Sequence, residues 1–192
     1  MKPRAVIFDL DGTLTEPLLD FDFIRAEIGL RAGLPILEQL AGAPPEARAR
    51  AEVILRRHEG AAIEQAVLAD GCLELLDRLR ARAVPHGILT RNTREAVERF
   101  SARFGLSFAG CYTREDGPPK PSPAGVLALC ARFGVPPPEV LTVGDFKFDV
   151  LAGRAAGCRT VLVTAEPPAN LDEWGPPDVV VPSLRALLPM WD

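Results

Sequence analysis

The chain has 192 residues, enough for one α/β domain with a modest insertion or for two small domains. A hydrophobic fraction of 47% fits a globular protein with a sizeable core, while a net charge of −4 and a pI of about 5.3 argue against a nucleic-acid or membrane-surface partner. Four scattered cysteines without a CxxC pair read as reduced thiols of a cytoplasmic protein, two histidines make a zinc site or a Ser-His-Asp triad a poor fit, and no apolar run is long enough to span a bilayer.

The N-terminal MKPRAVIF runs directly into a strand, which leaves no room for a signal peptide, and the apolar run at 4–9 has the character of a strand buried on both faces of a parallel sheet. From 16 to 71 strand-like runs are absent. Ile24, Ile28, Ile36, Leu37, Leu40, Val53, Ile54 and Leu55 recur at helical spacings, with Pro35 and Pro44-Pro45 as punctuation, so this stretch of about 56 residues reads as an all-helical insertion. The pattern then alternates. A helix at 72–83 is followed by a strand at 86–90, a helix at 93–104 capped by Asn92 or Thr93, and a weak strand at 108–112. A helix at 123–133, a strand at 139–143 and a helix at 147–156 come next, then strands at 159–163 and 178–181 and a short helix at 183–188. Such alternation predicts an α/β fold with a doubly wound parallel sheet. The Pro-rich 166–177 stretch reads as an ordered loop or flap; Trp174 and Trp191 read as isolated exposed residues or as residues that pack internally, and give no basis for a dimer.

In an open parallel sheet ligands bind beyond the carboxyl ends of the strands. The first strand ends in Asp9-Leu10-Asp11, and if the extended geometry continues the two carboxylates point to one side and repel unless a proton or cation lies between them. Asp11-Gly12 also suits a polar turn, but that reading leaves Asp9 unexplained. The second strand ends in Thr90-Arg91-Asn92, the 139–143 strand runs into Gly144-Asp145 with Asp149 four residues on, and Lys120 stands between prolines in the loop before the 123–133 helix. Together these groups suit a phosphate and a divalent cation.

Asp9-x-Asp11-Gly12-Thr13, the ILT at 88–90, Lys120-Pro121 and Gly144-Asp145-x-x-x-Asp149 resemble, in order, the four motifs of the haloacid dehalogenase superfamily. The helical insertion resembles that family's C1 cap, and the layout is similar to its phosphoglycolate-phosphatase-like branch with a shorter cap. The resemblance implies a Rossmann-like core at 1–15 and 72–192 with a cap at 16–71. It further implies a Mg2+-dependent phosphatase acting on a small phosphorylated metabolite through an aspartyl-phosphate, with a phosphoglycolate-like substrate among the candidates.

On that resemblance Asp9 is the nucleophile and a metal ligand, and Asp11 the general acid and base, its main-chain carbonyl also on the metal. Thr90 receives a phosphoryl oxygen, and Lys120 balances the charge on Asp9 and the phosphoryl group. Asp145 is a direct metal ligand; Asp149 binds metal-bound water or orients Lys120. Arg91 and Asn92 are further substrate-side candidates, against the plainer readings of a solvated arginine and a helix cap. The chain departs from the family at Phe146, where small hydroxyl residues are frequent; Phe146 and Phe148 are expected to narrow or dry that side, and Lys147 to face solvent. Dehalogenases of the superfamily lack the second aspartate, so Asp11 argues for phosphoryl chemistry. A phosphomutase, a pyrophosphatase and a non-catalytic binding protein stay open as alternatives. Substrate choice is expected to lie in the cap, where Phe21, Phe23, Arg25 and Arg31 are candidates to meet the non-phosphate part of a substrate, against the plainer readings of Phe21 and Phe23 as core or cap–core packing and of Arg25 and Arg31 as solvated helix charges.

Overall fold

A computed structural model describes residues 2–171 and 175–192, so Trp174 lies outside the described residues. Residues 1–17 with 67–192 form one compact unit and 18–66 another.

In the larger unit six strands form one sheet with every neighbouring pair parallel: β1 (Ala5–Phe8), β2 (His86–Leu89), β3 (Gly110–Tyr112), β4 (Val140–Gly144), β5 (Arg159–Val163) and β6 (Val179–Val181). Their order is β3-β2-β1-β4-β5-β6. The first strand therefore lies inside the sheet, with Val6 opposite His86 on one side and Leu141 on the other. A strand flanked on both edges and covered on both faces has no polar side, which is why AVIF is apolar throughout; none of its residues is more than 2% exposed. Ala5 and Ile7 pack with Val126, Leu129 and Cys130 of α6 (Ala124–Phe133) and Ala152 of α7 (Lys147–Ala155). Val6 and Phe8, alternating with them, point to the opposite face.

Two other helices connect strands of this unit. Helix α4 (Cys72–Ala81) buries Leu75, Leu76 and Leu79, and α5 (Arg94–Phe104) starts at Thr93, whose side chain accepts from the Ala96 N–H at 3.2 Å. The cap is thus Thr93, not Asn92. The last segment, Leu184–Trp191, is a 3-10 helix. Trp191 is 2% exposed and so belongs to the core, the internal packing that the sequence left open. Arg78 secures the chain end by donating to the Leu188 carbonyl at 3.0 Å and pairing with Asp192. All four cysteines are free, and no helix among the described residues is long and apolar enough to cross a membrane.

The smaller unit holds α1 (Phe21–Ile28), α2 (Ile36–Ala41) and α3 (Pro45–Gln65). Asp20 caps α1 by accepting from the Phe23 N–H at 2.9 Å, and Pro45 occupies the first turn of α3, where its missing N–H costs nothing. Its core is Ile24, Ile36, Leu40, Ala51 and Leu55, while Val53 is 69% exposed on the other side of α3. Phe21 and Phe23 are exposed rather than packed in a core, and Phe23 meets His58 edge-on at 5.7 Å. Arg25 is not solvated: its side chain is mostly buried and donates to Asp22 at 2.6 Å.

Candidate active site

β1 ends at Phe8, and the chain then turns. The Leu10 carbonyl accepts from the N–H groups of Thr13, Leu14 and Thr15, so Asp11 is placed by a turn and not by strand alternation. Gly12 makes the turn feasible, with φ of +83° and Asp145 so near that an added Cβ would lie 2.4 Å from its Oδ2. Asp9 stays at the strand end, its own N–H bonded to the Val143 carbonyl at 2.9 Å.

Lys120 joins two of the carboxylates. Its ammonium lies 2.7 Å from Asp9 Oδ1 and 2.5 Å from Asp149 Oδ1, with all three side chains largely buried. Asp9 Oδ1 also accepts from the Leu10 N–H at 2.7 Å. Asp149 Oδ2 accepts from the Phe146 N–H at 3.1 Å, so both of its oxygens are engaged and Lys120 is the group it orients. Asp145 accepts from Thr13 Oγ1 at 3.1 Å. Asp9, Asp145 and Asp149 each offer an oxygen, all within 4.8 Å of one another. Gly144 allows this approach: a Cβ there would fall 2.1 Å from the Asp149 carboxyl carbon.

Electrostatics follow from that crowding. Burial pushes Asp145 up to about 8, reinforced by the negative charges of Asp9 and Asp149 and opposed by Lys120. Asp149 is pushed up to about 6, again by burial first, with Lys120 pulling against the shift and Asp9 adding to it. Burial draws Lys120 down, but Asp149 and Asp9 more than offset it and hold the ammonium above its ordinary range. Buried oxygens that gather more negative charge than one lysine can balance are a fitting donor set for a hard divalent cation such as Mg2+.

The remaining expected residues surround this core. Thr90 is 2% exposed and its hydroxyl accepts from the Asn92 N–H at 3.0 Å. Asn92 donates to Asp11 Oδ2 at 3.1 Å and accepts from the Thr93 N–H at 2.7 Å, which makes it a holder of Asp11. Arg91 is half-buried and not solvated: it donates to the Lys120 carbonyl and its guanidinium lies 4.7 Å from the Phe148 ring centre. Phe146 and Phe148 meet edge-on at 5.2 Å, with Phe146 45% exposed. Lys147 is half-buried rather than solvent-facing, its ammonium 5.7 and 5.5 Å from those two ring centres. Sequence reasoning gave no role to Thr13; its signal was a hydroxyl two residues beyond the aspartate pair. It also missed Asp116, which accepts from the N–H and hydroxyl of Thr113 at 2.8 Å and pairs with Arg94 at 2.5 Å, fixing the loop that carries Lys120.

Residues 3–157 match the haloacid dehalogenase-like hydrolase family. The chain is 34% identical over 194 residues to a haloacid dehalogenase-like hydrolase domain-containing protein of Arabidopsis thaliana, covering 95% of this chain and 77% of that one. It is 28% identical to an N-acetylmuramic acid 6-phosphate phosphatase of Pseudomonas aeruginosa, over 100% of this chain and 96% of the other. With a phosphoglycolate phosphatase of Synechococcus elongatus it shares 31% identity over 84% of each chain. A crystal structure of a hydrolase from Pseudomonas syringae shares the fold, with a TM-score of 0.78 and 24% identity over 96% of both chains. The chain belongs to the haloacid dehalogenase-like hydrolase family. It is an enzyme, a phosphatase-type hydrolase.

Proposed function

We propose that this protein is a Mg2+-dependent, cytoplasmic phosphatase that hydrolyses a small phosphomonoester, phosphoglycolate or a sugar phosphate, with the phosphoryl group carried in transit on Asp9. The observation that carries the reading is the buried Asp9–Lys120–Asp149 bridge beside Asp145. Lys120 and the Leu10 N–H fix Asp9 Oδ1, which leaves Oδ2 to attack phosphorus. As the P–O ester bond breaks, Asp11 gives its proton to the departing alkoxide; it then takes one from water, whose oxygen attacks the phosphoaspartate and restores Asp9. Asn92 keeps the Asp11 carboxyl aimed. The Thr90 hydroxyl, which accepts from the Asn92 N–H, keeps its own hydrogen to donate to a phosphoryl oxygen. Asp9, Asp145 and the Asp11 carbonyl would hold the cation, which supplies charge neutralisation to the phosphate when bound. Asp149 holds Lys120 in place and adds its carboxylate to the acidic cluster.

Phosphate release from p-nitrophenyl phosphate, phosphoglycolate and N-acetylmuramic acid 6-phosphate tests this, with Mg2+ or with EDTA, for the wild type and Asp9→Asn. Turnover is expected only with Mg2+, and the variant should lose about 10^3-fold or more. Full activity in EDTA, or an active Asp9→Asn, would rule the mechanism out.

A further inference from the structure

Lys120 has to reach two carboxylates at once, yet its main chain lies outside any strand or helix, in the connection between β3 and α6. What braces it can be read from the contacts of Arg91. The guanidinium of Arg91 donates to the Lys120 carbonyl and lies over the ring of Phe148, the residue before Asp149, 4.7 Å from its centre. Its own carbonyl accepts from the Arg114 guanidinium at 3.1 Å, and the Asn92 carbonyl accepts from the Arg114 N–H at 3.2 Å. One side chain from the end of β2 thus touches both supports of the Lys120–Asp149 pair: the loop carrying the cation and the helix carrying the anion.

We propose that Arg91 is a positioning residue that holds Lys120 against Asp9 and Asp149, and not a ligand of the substrate. A planar guanidinium can lie flat on a ring and donate from its edge in the same pose, which an ammonium cannot do equally well. The kinetic part of this inference rests on the phosphatase reading; the geometric part does not.

Lys2, Lys120 and Lys147 are the three lysines of the chain, so acylation by acetic anhydride, mapped by mass spectrometry, reports Lys120 against Lys2 as an internal reference. In the wild type Lys120 should be protected, as a 3%-exposed ammonium between two carboxylates. Arg91→Met should raise its labelling rate about fivefold or more relative to Lys2. Leu55→Ala, weakened in the core of the smaller unit, should leave the Lys120 ratio at the wild-type value. In turnover, Arg91→Met should lower kcat about 10- to 100-fold with KM within about twofold, and Arg91→Lys should recover part of that loss. Phe148→Leu should cost less and add nothing in the Arg91→Met background. Unchanged Lys120 labelling in Arg91→Met overturns the proposal, as does a raised KM with kcat intact. A wild type that hydrolyses none of the phosphate esters would sink the phosphatase reading instead, and the labelling ratio would then decide the role of Arg91 alone.

Discussion

Asp9, Asp11, Asp145 and Asp149 are each held by a group with no bond to make or break: the Leu10 N–H, the Asn92 amide, the Thr13 hydroxyl and the Phe146 N–H. Removing such a holder should change rates selectively. In Asn92→Ala the Asp11 carboxyl loses its aim, and kcat/KM on an alkyl phosphate, which reports the step that expels the alcohol, should fall about 10- to 100-fold. On p-nitrophenyl phosphate, whose leaving group needs no proton, the loss should be much smaller; equal losses on both would remove Asp11 from the acid role. Gly144→Ala sets a Cβ into the Asp149 carboxyl and should cost about 1–3 kcal/mol of stability along with most of the activity, read by denaturant unfolding and turnover. The acidic groups were legible because a carboxylate at the end of an apolar run gives up hydration, a loss that a cation or a hydrogen-bond donor must offset. The contacts that Arg91 and Asn92 make were not legible because their partners, Lys120 and Asp11, lie 29 and 81 positions away in the chain. A side chain's polarity is visible in the sequence; the atom that answers it is not.

At the scale of the element, each strand of the sheet coincides with a predicted apolar run to within about two residues at either end. The C-terminal segment was harder. Its sequence LRALLPMW permits a short helix but does not decide between an exposed and a buried Trp191, since that depends on the segment as a whole being pinned by Arg78. Trp191→Ala should cost about 3–5 kcal/mol, measured as a shift in the denaturant midpoint. β2 has its own pH signature. His86 is buried at its start, with Nδ1 3.0 Å from the Val84 carbonyl and Phe108 edge-on at 5.8 Å; burial lowers its pKa, with Arg80 acting in the same direction. A lowered folded-state value means that the unfolded chain takes up the proton first. The contribution is therefore intact above about pH 6.5 and lost as pH falls through the lower folded value. Between pH 7.5 and 5 the wild type should lose stability more steeply than His86→Gln, and parallel curves would refute this.

For the whole molecule, α/β alternation made the parallel sheet readable, and a long stretch without strands marked the helical unit. Strand order was not readable in the same way. It follows from crossovers that bring β4 beside β1 across a separation of 135 residues, Ala5 to Val140. That pairing has a consequence during synthesis. A ribosome adding about 5–20 residues per second releases β1 roughly 7–27 seconds before β4 exists. Throughout that interval this wholly apolar strand has β2 on one side at best and a bare hydrogen-bonding edge on the other. A truncated chain ending at residue 138 freezes the moment, and it should pellet or bind a chaperone where the full chain stays dispersed. Nascent chains of this protein would then depend on being shielded, and the demand should rise as translation slows.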